Sequence, residues 1–116
     1  MKYMLLICSD PAVLGSPAGQ AMIPDILAKH SKLAAELNAA GVEWSGARLQ
    51  SASAATTVRT EGTAQTLHDG PFAETKEEVG GYYLVDVPDL DAAIAWAKKI
   101  PMPGLGSVEV RPIMQM

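Results

Sequence analysis

The sequence predicts one α+β domain of order βαββαβ, with a hairpin inserted in its middle. Three observations predict it. Residues 2–8 and 79–87 are apolar runs of strand length, and Val108 and Val110 alternate with Glu109 and Arg111 near the end of the chain. Ile26, His30, Leu33, Leu37 and Ala40 recur at helical spacing, as do Leu90, Ala93, Ile94 and Ala97. Turn-forming Gly, Pro, Ser and Asp residues separate these stretches.

In the first strand, Tyr3, Leu5 and Ile7 share one face and Met4, Leu6 and Cys8 the other. Both faces are apolar, so both are expected to be covered. Pro11, Gly15, Pro17 and Gly19 mark residues 9–23 as a loop. Pro24 suits a first helical position, and Gly41 suits the residue just beyond a helix end. Residues 42–50 read as a strand carrying Val42 and Trp44, and residues 51–55 as a small, polar loop. Thr56–Arg59 and Gln65–His68 form a hairpin turning at Glu61-Gly62. Pro71 has no N–H to donate and interrupts the ladder before the strand at 79–87. Asp89 is placed to cap the second helix, Asp91 and Lys98-Lys99 match its dipole, and Pro101 and Pro103 end it. The last strand covers 107–113.

With the hairpin set aside, this order is the ferredoxin-like pattern. Both helices then lie on one face of the sheet, and no element remains to cover the other. A second copy, packed sheet against sheet, is the expected cover, which predicts a homodimer with an interface of roughly 1,600 Å² or more.

Composition narrows the function. The chain has 116 residues, 48% of them apolar and 19% charged, enough for a globular core without disulfides or metal. Net charge is -4 and Lys98-Lys99 is the only basic pair, which argues against a nucleic-acid partner. The apolar run Met4–Cys8 is too short to span a membrane. The lone Cys8 fits a reducing cytoplasm and a buried strand position. The two histidines and one cysteine lack metal-site spacing, Gly80-Gly81 and Gly104-x-Gly106 precede no helix, and no Gly-x-Ser-x-Gly elbow is present. The expectation is therefore no metal and no cofactor.

The segment Asp69-Gly70-Pro71-Phe72-Ala73-Glu74-Thr75-Lys76-Glu77 runs into Gly80-Gly81-Tyr82-Tyr83-Leu84-Val85-Asp86-Val87. With Met1–Ile7, Leu33–Gly41 and Gly106–Pro112, these motifs resemble the DGPF-type branch of the YCII-related proteins. The resemblance implies a ferredoxin-like fold paired as a dimeric α/β-barrel. It implies an acid–base pair of one histidine and one aspartate in a cleft; one relative in the wider group removes chloride from a chlorinated hydroxyquinone. His30, eleven residues before Gly41, matches that histidine, and Asp69 is the counterpart of the aspartate. The resemblance also implies a link to extracytoplasmic-function sigma factors.

Each candidate has two readings. His30 is either a proton carrier near neutral pH or a core histidine bonded to the main chain. Asp69 either bonds its own turn or serves a ligand at the cleft mouth. His68 reads as a surface residue at a strand end. Glu74 and Lys76 are either a solvated charge run or, pointing inward, ligand-binding groups. Tyr82 and Arg111 are candidate cleft residues whose alternatives are sheet packing and an ion pair with Glu109 across the dimer. Two functions follow. One is a cofactor-independent enzyme of lyase, isomerase or dehydrochlorinase type acting on a small molecule through His30 and Asp69. The other is a ligand-binding or regulatory module without turnover.

Overall fold

Capping residues organise the first part of the chain. In the computed structural model, which describes residues 1–115, β1 (Lys2–Ser9) is followed by α1 (Pro11–Gly15) and α2 (Pro17–Ala39). Residues 11–15 and 17–23 are therefore helical and not a loop. Asp10 accepts the Ala12 N–H at 2.9 Å and Ser16 accepts the Gly19 N–H at 3.0 Å. Pro11 and Pro17 each follow such a cap, where a missing N–H costs nothing. The prolines that suggested a loop are thus helix starts. Pro24 lies inside α2 and does not open it. Gly19 lets the two helices meet, because a Cβ there would lie 2.0 Å from the Val13 carbonyl oxygen. Gly41 closes α2 at φ +71°, with its N–H bonded to Asn38 and that of Val42 bonded to Leu37.

The remaining elements are β2 (Glu43–Arg48), β3 (Thr56–Glu61), β4 (Ala64–Asp69), β5 (Glu78–Asp86), α3 (Leu90–Ala97) and β6 (Ser107–Pro112). Asp89 caps α3 by accepting the Ala92 N–H at 2.9 Å, as its position predicts. Four strands form an antiparallel sheet in the order β2-β5-β1-β6, and β3 pairs with β4 in a separate two-stranded sheet turning at Gly62. This mixed α+β arrangement is compatible with the ferredoxin-like pattern.

Alternation sorts the two faces of the main sheet. Tyr3, Leu5, Tyr83 and Val85 join Leu33 and Leu37 of α2 and Ala93 and Ala97 of α3 in the core. Both helices therefore cover the same face. Leu90, expected on the buried side of α3, is 47% exposed, because it sits in the first turn beyond the reach of the sheet. The second face carries Met4, Leu6, Cys8, Tyr82 and Leu84, all half-buried and none in the core. Burial pushes the Cys8 thiol pKa up, helped by Glu109 and then Glu77, so the sulfur stays protonated. Glu109 and Arg111 form an ion pair on the same strand.

The β3–β4 hairpin contributes nothing to the core, and Val58 and Leu67 on it are 57% and 76% exposed. It helps make the molecule broad and flat, 47 × 44 × 18 Å, with a radius of gyration of 16.1 Å; roughly 13 Å is usual for a compact domain of about 100 residues. No helix among the described residues is long and apolar enough to cross a membrane.

Candidate functional site

Two strand glycines line the sheet beneath α2. On the helix-covered face, Gly46 of β2 pairs with Tyr83 of β5, and Gly81 of β5 pairs with Ile7 of β1 and Arg48 of β2. A Cβ at Gly46 would lie 2.8 Å from the Tyr82 carbonyl oxygen, and one at Gly81 3.0 Å from that of Ala47. Gly80 is the extra residue where the β1–β5 register shifts between Ile7 and Cys8. Strand glycines of this kind mark a place where a ligand or another chain segment comes close to the backbone.

The space is a cavity of about 380 Å³. Ile23, Ile26, Leu27, His30 and Ala34 of α2 form its roof, and Ile7, Trp44, Arg48 and Tyr83 its sheet side. Pro101, Met102 and Pro103 close one flank. Most of the wall is apolar.

His30 meets Tyr83 here. His30 Nδ1 lies 2.6 Å from Tyr83 Oη, and the two rings stack at 5.8 Å and 13°. Trp44 leans on Tyr83 at 5.6 Å between ring centres and is held by its Nε1–H, which donates to Asn38 Oδ1 at 2.8 Å. Burial pushes the Tyr83 pKa above its usual value, so the phenol keeps its proton. Burial, and secondarily the Arg48 charge, push the His30 pKa down, so its imidazole is neutral near pH 7. Among the described residues, Tyr83 Oη has no partner but His30. A buried hydroxyl with one partner directs its hydrogen there. With Tyr83 donating to Nδ1, His30 carries its own proton on Nε2. The pair offers one N–H donor to whatever the cavity holds.

The other residues named from the sequence are spread more widely. Tyr82 lies in the cavity lining, although alternation along β5 directs its side chain to the open face. Asp69 ends β4 and is exposed, outside the lining. Its neighbour Gly70 donates to the Ala55 carbonyl at 2.7 Å, which continues the β3–β4 ladder and closes the base of the hairpin. Glu74 and Lys76 lie in an exposed loop, and Arg111 is paired with Glu109 on the open face. No group of three metal-ligating side chains occurs among the described residues.

Sequence reasoning missed Tyr83, Trp44 and Arg48 as site residues. A signal was present: Trp44, Gly46 and Arg48 alternate on one face of β2, and Gly81 lies two residues before Tyr83 on β5.

An uncharacterised protein of Rhizobium meliloti (strain 1021) is similar to this chain, 45% identical over 69 residues. The match covers 58% of this chain and 56% of that protein, so the similarity spans about half the length of the relative. The family model for the YCII-related domain matches residues 1–116, the whole sequence, and the chain belongs to that family.

Proposed function

We propose that the protein binds a small molecule in the cavity beneath α2 and that His30 acts on it as the proton-handling group. The reaction class is cofactor-independent: a lyase, isomerase or dehydrochlorinase type. One observation carries this reading, the 2.6 Å contact between His30 Nδ1 and Tyr83 Oη in the wall of a mainly apolar cavity. A tyrosine donating to Nδ1 would hold the imidazole in one tautomer and leave its second nitrogen for the ligand, as a positioned acid or hydrogen-bond donor requires. Asp69 enters the proposal as the second carboxylate on the strength of its loop motif, although it stands outside the cavity lining. The Asp69-Gly70-Pro71-Phe72 loop is also the ground for assigning the chain to the DGPF-type branch of its family.

The test is a set of three variants. His30→Gln is expected to abolish turnover while the fold is kept, as read by circular dichroism. Asp69→Asn tests the carboxylate by itself. Ala34→Phe, which fills the cavity from α2, is expected to block ligand binding. Full activity in His30→Gln would overturn the catalytic reading.

The apolar lining favours a second reading, a ligand-binding or regulatory module without turnover. The partner in that case is a sigma factor, and co-purification with one, together with binding unaltered in His30→Gln, would favour this class.

We further propose a homodimer through the open sheet face. Met4, Leu6, Cys8 and Leu84 support it, since four half-buried apolar side chains on one sheet face gain by leaving water together.

A further inference from the structure

We infer that the ligand of this cavity is a small apolar molecule carrying a single carboxylate. The inference rests on the proposed binding cavity and specifies what it takes. Every polar side chain of the wall is a donor or a hydroxyl: the Arg48 guanidinium, the His30 imidazole, the Trp44 indole N–H, and the hydroxyls of Ser9, Ser31, Tyr82 and Tyr83. No aspartate or glutamate lines the space. A cationic ligand would therefore find no counter-charge, whereas an anion finds one.

Arg48 is available for that task. The ion pairs among the described residues engage the N-terminus, Lys29, Lys99 and Arg111, and no side-chain hydrogen bond of Arg48 is present among them. It stands at the end of β2 opposite Gly81, exposed and among the residues that line the cavity. A planar guanidinium matches the two oxygens of a carboxylate. The Arg48 charge also acts on His30, disfavouring a second positive charge there. The neutral Nε2–H therefore adds a hydrogen bond to a bound anion without adding charge.

The rest of the ligand is set by the rest of the wall. Leu14, Ile26, Leu27 and Met102 offer no hydrogen-bonding partner, and a polar group buried against them would be left unpaired. The volume of about 380 Å³ lies toward the small end of ligand pockets, which run from roughly 300 to 1,000 Å³. One ring, or a short branched chain, with one carboxylate fits this description.

The experiment is calorimetric titration of the full chain with phenylacetate, its neutral isostere phenylacetamide, and the cation phenethylamine. Phenylacetate is expected to bind at least about tenfold tighter than the amide, and the amine not to bind. Arg48→Gln is expected to erase the preference and leave the amide unchanged, while Arg48→Lys keeps part of it. The His30 Nε2 resonance is expected to move with phenylacetate in the wild type and not in Ala34→Phe. Equal binding of acid and amide, or a preference that survives Arg48→Gln, overturns the carboxylate assignment and leaves the cavity as a binding site. Failure of all three probes to bind overturns the assignment together with the cavity reading.

Discussion

His30 and Tyr83 stand 53 positions apart in the chain, yet His30 Nδ1 is 2.6 Å from Tyr83 Oη and the rings lie almost parallel. One comes from the middle of α2, the other from the middle of β5, and their contact joins the helix layer to the sheet at the cavity wall. The pair answers two questions with one bond. It gives the Tyr83 hydroxyl a partner, and in the proposed site it bears on which imidazole nitrogen is left for the ligand.

Tyr83→Phe removes the bond and leaves Nδ1 without its donor. The loss is expected to cost about 1 kcal/mol of stability, the usual net worth of one hydrogen bond, read by urea denaturation. The His30 ring should then populate both tautomers, visible in its nitrogen resonances. An unchanged tautomer in Tyr83→Phe would show that Tyr83 does not set it.

Stability should fall in mild acid through His30. Its pKa is pushed below the ordinary 6.5, so the unfolded chain binds the proton more readily than the fold does. The contribution is complete above about pH 6.5 and is lost as pH drops through the lowered folded value. Urea midpoints measured between about pH 7.5 and 5 should decline in the wild type and decline less in His30→Gln.

The start of α2 can be tested by two substitutions. Ser16→Ala removes the oxygen that accepts the Gly19 N–H, and a lost N-cap costs about 1 kcal/mol. Gly19→Ala should cost more, because its methyl would meet the Val13 carbonyl, a main-chain atom that cannot rotate away; overpacking of this kind costs about 1–3 kcal/mol. Thermal melts of both variants check the order of the two effects.

The proposed dimer predicts a mass change on charging the open face. Leu6→Lys and Leu84→Lys should each convert the dimer to a monomer in light scattering, because a sheet-to-sheet interface would bury the new charge without a partner. Val58→Lys on the exposed hairpin serves as the control and should leave the mass unchanged. A wild type that is monomeric throughout would overturn the dimer.

Much of the fold was legible in the order of residues. The strands at 79–87 and 107–113, the hairpin turning at Gly62, the Asp89 cap and the Gly41 stop depend on local periodicity and turn chemistry, which a single chain displays directly. The segment 9–23 was misread because proline signals both loops and first helical turns. Only the hydrogen bonds made by Asp10 and Ser16 separate the two cases. Likewise Pro24 sits well inside α2, which continues on to bury Leu33 and Leu37 in the core.

By itself the sequence determined the family, the α+β class and His30 as a candidate, since all three rest on residue identity and short spacings. The tertiary structure decided who stands beside His30. Tyr83 becomes its partner, and Arg48 shares its cavity, because β2 and β5 pair so that Gly46 faces Tyr83 and Gly81 faces Arg48. Register between strands that are distant in sequence is settled only when the sheet forms, and the cavity exists only once α2 lies over β2 and β5.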